Sequence, residues 1–161
     1  MKRVIVGLCI TGLLLGCSTN IAVSPAQQLT KDIATIDKYL ESNNITAVKD
    51  ASGLRYVIHS VGGGAAPTLV SYLKVAYKGT LLSTGATFDQ SAGYPNAPAT
   101  FFSTPLSGLI QGWQIAFPLL GKGTTATLYI PSGLAYGTAS PSSAIPPNSN
   151  LVFDVTLVDF K

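Results

Sequence analysis

The chain has 161 residues, 47% of them hydrophobic and 11% charged, with 10 basic residues against 7 acidic ones, 2 cysteines and 1 histidine. That length holds one domain with a core and leaves no room for a second. The small positive balance forms no basic patch or stripe, which argues against a nucleic-acid partner, and so few histidines and cysteines exclude a zinc site built from them.

Residues 1–16 read as a lipoprotein signal peptide. Met1-Lys2-Arg3 is basic, and the apolar run from Val4 to Leu15 is too short to span a bilayer but suits a secretory signal. The run ends in Leu14-Leu15-Gly16-Cys17, which resembles the bacterial lipobox, a small residue before the cysteine that receives lipid. On this reading Cys9 leaves with the signal and Cys17 carries the lipid, so no thiol remains for a disulfide or a metal. Loss of Lys2 and Arg3 brings the rest close to neutral. Ser18, where an aspartate would favour retention, points to the outer membrane by similarity to Gram-negative lipoproteins. Two or more acyl chains make such an anchor firm.

Residues 17–28 are small and polar and read as a tether. A helix follows over 29–44, with Leu29, Ile33, Ile36 and Leu40 at helical spacing, Thr30 as N-cap and Ser42-Asn43-Asn44 as its end. It is too short for a dimerisation stalk, so a monomer is expected. From Gly53 the pattern turns to β structure, with strands over 53–59, 72–80, 99–103, 124–130 and 150–160. One segment, 107–117, reads as helix, and 131–149 is a long loop of Gly, Pro and Ser. Loops of that length are usually functional or disordered. The fold class is α+β: an antiparallel sheet of five to six strands with one short helix against it.

Familiar catalytic sets are missing. His59 reads as an exposed strand residue, and a Ser-His-Asp hydrolase would have to depend on it. Gly62-Gly63-Gly64 has neither the spacing nor the following helix of a nucleotide-binding loop. Asp32, Asp37, Glu41 and Asp50 belong to the first helix and its exit, Asp154 and Asp159 to the last strand. Only Asp89 sits among apolar and small residues. Trp113 is the one tryptophan, directly after Gly112 at the start of the short helix.

Four segments carry a specific resemblance: "VAYKGTLLSTGATFDQS" at 75–91, "LIQGWQIAFPLLGKGTTATLYIP" at 109–131, "LAYGTAS" at 134–140 and "IPPNSNLVFDVTLVDF" at 145–160. Their content, order and spacing resemble the FKBP-type peptidyl-prolyl cis-trans isomerases over residues 53–161. The family implies a curved antiparallel sheet wrapped around a short helix, with an aromatic pocket between them. By motif position, Trp113 would be the pocket floor, Tyr77 and Phe88 walls, and Phe153 the far side. Leu109 and Ile110 would line the edge, with the Ile110 N–H bonding a substrate carbonyl. Tyr136 would offer its hydroxyl to the amide carbonyl, Asp89 would face the amide from the rim, and Ile145 would belong to a flap. The strand before the helix aligns in two registers, one bringing Phe102 to the pocket and the other Phe101.

The resemblance implies rotation about X–Pro bonds, which makes and breaks no covalent bond and needs no cofactor or metal. It implies unfolded or nascent proline-containing envelope proteins as substrates, macrolides of the tacrolimus and rapamycin type as inhibitors, and no nucleic acid. A second reading stays open, an FKBP-like chaperone or peptide-binding module with little or no turnover. A structural lipoprotein would explain the anchor but not the four motifs. Without them, Trp113, Phe88 and Phe153 would be ordinary core aromatics.

Overall fold

The computed structural model describes residues 23–92, 94–95 and 101–161. The signal, Cys17 and most of the tether lie outside them. Helix α1 spans Pro25–Ser42, one turn earlier than the apolar periodicity predicts. Ser24, not Thr30, is its N-cap: the Gln27 N–H donates to Ser24 Oγ at 3.2 Å and the Ser24 N–H donates to Gln27 Oε1 at 2.9 Å, with Pro25 at the first position. Thr30 instead donates its hydroxyl back to the Ala26 carbonyl. The four residues of this first turn carry no apolar period, so they read as tether. The helix ends before Asn44, which adopts left-handed φ (+54°), a conformation asparagine tolerates better than most residues.

Six strands form one antiparallel sheet: β1 (Val48–Lys49), β2 (Arg55–Ser60), β3 (Leu73–Leu81), β4 (Thr87–Gln90), β5 (Thr125–Ile130) and β6 (Leu151–Phe160), in the order β1-β2-β5-β6-β3-β4. The expected strand at 99–103 is not observed as such. Residues 99 and 100 lie outside the described set, and Phe101 makes a single bridge to Lys74. The short strands β1 and β4 have too few residues for an alternation to show in sequence.

Helix α2 (Gln111–Ala116) packs on one face of the sheet, with Trp113, Ala116 and Phe117 buried against Leu73, Val75, Leu128, Phe153 and Val155. Gly112 makes the approach possible: a Cβ there would lie 2.5 Å from Ile130 Cγ2. The opposite face is covered by α1. Ile36 and Leu40 pack with Tyr129 and Leu82, and Val57 and Val152 lie beside them. Successive side chains of a strand point to opposite faces, so β5 is buried on both, which accounts for its nearly unbroken burial. Arg55, on the α1 face, is pinned to the helix by Asp37, with Nε–Oδ1 at 2.8 Å and a second bond from Nη2 to Oδ2 at 3.3 Å.

Candidate active site

The loop between β4 and α2, the start of α2, and β3, β4 and β6 converge on a concavity of about 210 Å³. Its wall includes Tyr77, Phe88, Asp89, Phe102, Leu109, Ile110, Trp113, Tyr136 and Phe153, together with Gly108. Trp113 is 4% exposed and meets Tyr77, Phe102 and Phe153 nearly edge to face, with ring centroids at 5.4, 5.6 and 5.3 Å. Phe117 supports it from the core at 5.0 Å. Phe88 stands perpendicular to Phe153 at 5.5 Å. Edge-to-face pairs add about 0.5–1.5 kcal/mol each beyond burial, so these rings hold one another in place before any ligand arrives.

The glycine at position 79 makes room for this arrangement. A Cβ on Gly79 would lie 2.6 Å from Phe88 Cζ and 2.9 Å from Phe153 Cε1, both aromatic carbons of the wall. Glycine inside a strand often marks such a close approach, and the "YKG" of β3 is its only signal in the sequence. Phe117 and Gly79 are the supports that motif reading misses.

Polar groups line one side. Asp89 is exposed at the rim, and the Tyr77 hydroxyl donates to its Oδ2 at 2.7 Å. Burial, and next the bond to Asp89, push the Tyr77 phenol far above its usual range. Burial and the Asp89 charge likewise push Tyr136 above the ordinary 10.0. Both phenols therefore stay protonated at neutral pH and serve as neutral donors. The Tyr136 hydroxyl and the Ile110 N–H donate to no group among the described residues. Gln114 holds the turn before α2, its Nε2 donating to the Leu109 carbonyl at 2.7 Å. That bond fixes the backbone on which the free Ile110 N–H sits.

Two sequence-derived candidates lie elsewhere. Phe101 is not part of the wall; the Lys161 and Lys74 ammonium groups sit 4.7 and 5.8 Å from its ring centroid. Neighbouring side chains of an extended segment point opposite ways, so Phe102 turns into the pocket and Phe101 turns out. Ile145, the expected flap residue of the 131–149 loop, is 5% exposed and packs into the core cluster instead of lining the wall. Asp32 on α1 is a buried carboxylate, 2% exposed, outside the concavity. His59 is exposed, as expected, with Nε2 at 2.8 Å from Thr127 Oγ1. A larger groove of about 790 Å³ runs between α1 and residues 146–150. Tyr39 is its one aromatic residue, and its buried carboxylate, Asp32, is already bonded, so it lacks the converging free donors of the aromatic concavity.

The family model described as FKBP-type peptidyl-prolyl cis-trans isomerase matches residues 63–158. A Neisseria meningitidis protein named probable FKBP-type peptidyl-prolyl cis-trans isomerase FkpA is 45% identical over 108 residues, covering 67% of this chain and 38% of that protein. A Legionella longbeachae protein named outer membrane protein MIP is 39% identical over 110 residues, covering 68% and 45%. The crystal structure of a peptidyl-prolyl cis-trans isomerase from Pseudomonas syringae superposes with a TM-score of 0.69 at 26% identity, over 87% of this chain and 98% of that one. The chain thus spans less than half the length of these two sequence relatives.

Proposed function

The chain belongs to the FKBP-type peptidyl-prolyl cis-trans isomerase family, and we propose from this that it accelerates rotation about X–Pro bonds in proteins of the bacterial cell envelope. The carrying observation is one pocket that combines a closed set of aromatic rings with two uncommitted donors, the Tyr136 hydroxyl and the Ile110 N–H. Uncatalysed, the rotation takes tens to hundreds of seconds, because about 18–20 kcal/mol of amide resonance is lost at the twisted state.

The chemistry follows from that loss. A planar X–Pro amide has separated charge that water solvates well, and a twisted one has less. Seating the proline ring on Trp113 among Tyr77, Phe88, Phe102 and Phe153 removes water, which disfavours the planar form relative to the twisted one. Fixed donors favour the twisted state by position: a hydrogen bond that aligns only after the carbonyl has turned is stronger there than in the ground state. As nitrogen stops donating electrons, the carbonyl carbon becomes electron-poor, and the Asp89 carboxylate at the rim favours that change. Tyr77 orients the carboxylate. Each 1.36 kcal/mol of such preference is about tenfold in rate.

Two variants test this assignment. Tyr136→Phe removes a donor worth about 1 kcal/mol and lowers kcat/KM for a short X-Pro peptide by roughly five- to tenfold, leaving the fold intact. An unchanged rate would remove Tyr136 from the mechanism. Gly79→Ala pushes the Phe88 or Phe153 ring into the cavity. Affinity for a proline-containing ligand, read by Trp113 fluorescence, should fall at least about tenfold, or about 1.4 kcal/mol. Retained affinity would mean that the rings yield elsewhere.

The envelope assignment rests on the Gly16-Cys17 signal end and on the name of the Legionella relative. Residues 1–16 act as signal, Cys17 carries lipid, and the following residues tether residues 53–161, the isomerase domain, to the outer membrane. Cells fed a labelled fatty acid should label the wild-type chain and not Cys17→Ser; equal labelling would disprove the anchor. Unfolded or nascent proline-containing envelope proteins are the fitting substrates.

A further inference from the structure

We propose that Asp32, on the helix that precedes the family-matched region 63–158, is a positioning residue for Tyr136. This rests on the isomerase reading above. Asp32 lies mid-helix, 2% exposed, on the buried face it shares with Ile36 and Leu40, and its carboxylate meets the loop after β5. Oδ2 accepts from the Ser132 N–H at 3.0 Å and from the Ser132 hydroxyl at 2.5 Å, while Oδ1 accepts from Gln28 Nε2 at 2.7 Å. Ser132, 1% exposed, opens a 3₁₀ turn, Ser132–Leu134.

Ser132 is also the hub of the turn that presents the catalytic tyrosine. Its carbonyl accepts from the Ala135 N–H at 3.0 Å and from the Gly137 N–H at 2.8 Å, the two residues that flank Tyr136. The Gly137 carbonyl in turn accepts from the Asn148 N–H at 2.7 Å, and the Ser132 N–H is shared with Asn150 Oδ1 at 3.0 Å. Tyr136 is 36% exposed and its hydroxyl has no partner of its own among the described residues. Its place over the pocket is therefore set by backbone, and that backbone is fastened at Ser132 to the helix.

A carboxylate suits this junction because it accepts from both sides at once. An amide at the same position keeps one acceptor and turns its NH₂ toward either Gln28 or Ser132, both of which offer donors. Helix α1 has a second polar attachment, at Asp37. It bonds Arg55 and Lys49, at 2.8 and 3.1 Å. The Asp37 bonds reach β2 and β1 and not the Tyr136 turn, so Asp37→Asn serves as the control for loosened docking of the helix.

The test uses the full-length chain in detergent, comparing wild type, Asp32→Ala, Asp32→Asn, Ser132→Ala and Asp37→Asn. The readouts are kcat and KM for an X-Pro peptide, the urea midpoint, and NMR signals of the Tyr136 ring and Gly137 amide. Asp32→Ala should lower kcat about tenfold with KM nearly unchanged, since a misplaced reacting group loses rate more than ground-state affinity. Asp32→Asn and Ser132→Ala should fall between it and wild type, and the Tyr136 and Gly137 signals should shift in all three. Asp37→Asn should lose stability while keeping kcat and those signals. The inference is overturned if Asp32→Ala and Asp32→Asn keep wild-type kcat and signals. It is overturned equally if Asp37→Asn loses kcat in proportion to its lost stability. A wild-type chain without turnover would count against the isomerase reading, and the NMR signals would still decide whether Asp32 positions Tyr136.

Discussion

Trp113→Ala is expected to remove about 3–5 kcal/mol of stability and all measurable isomerisation at once. The indole is 4% exposed and touches four other rings, so its loss opens a cavity under the pocket and frees the walls it holds. Against a typical total of about 5–15 kcal/mol, the variant would still fold, though marginally at the lower end. Trp113→Phe separates the two effects. The indole Nε1 is buried without a hydrogen-bond partner among the described residues. Deleting an unpaired donor recovers about 1–3 kcal/mol, which offsets much of the lost packing. Trp113→Phe should therefore be nearly as stable as wild type in urea while its kcat/KM falls, because the smaller ring no longer supports the proline. A large stability loss in Trp113→Phe would mean that the N–H has a partner after all.

The second large effect concerns the attachment of α1. The Arg55 side chain is 8% exposed and the Asp37 side chain 30%, so Asp37→Asn leaves a nearly buried guanidinium without its ionic partner. Surface pairs are worth about 0–1 kcal/mol and breaking fully buried ones costs about 3–5, which places this one near 2 kcal/mol. The cost should depend on pH. The bond from Arg55, with a smaller contribution from Lys49, holds the Asp37 carboxyl below its ordinary 3.8. A group depressed in the folded state contributes stability that is full above its unfolded value and is lost as pH falls through its folded one. The difference in urea midpoint between wild type and Asp37→Asn should be full at pH 6 and shrink below about pH 4. Asp50, held low by Ser52, and Asp159, held low by Lys122, give the same trend in both proteins and cancel in the comparison. A gap independent of pH would show that the ionised pair is not what fastens the helix.

The sheet and the pocket wall are legible in the sequence because local patterns encode them. Alternation in 150–160 gives β6, and the four motifs bring Tyr77, Phe88, Trp113, Tyr136 and Phe153 to one place through a resemblance that carries spatial information. What stays illegible depends on partners far along the chain. Asp32 reads as an ordinary first-turn acid because Ser132, which buries it, is 100 residues away. The first turn of α1 is set by a capping box in a stretch with no apolar rhythm, so periodicity starts the helix too late. Phe101 and Phe102 differ only in which way an extended segment faces, and a shift of one residue exchanges them. Ile145 is apolar either way, so neither its packing in the core nor a role at the pocket can be read from its type alone.

The most direct test is the cis-to-trans rate of a short X-Pro peptide with the full-length chain in detergent, beside Tyr136→Phe and a rapamycin-treated sample. An isomerase gives a first-order rate that rises linearly with protein concentration, falls roughly five- to tenfold in Tyr136→Phe and returns to the uncatalysed value with rapamycin. A folded chain that leaves the peptide at its uncatalysed rate contradicts the isomerase and leaves an FKBP-like binding module.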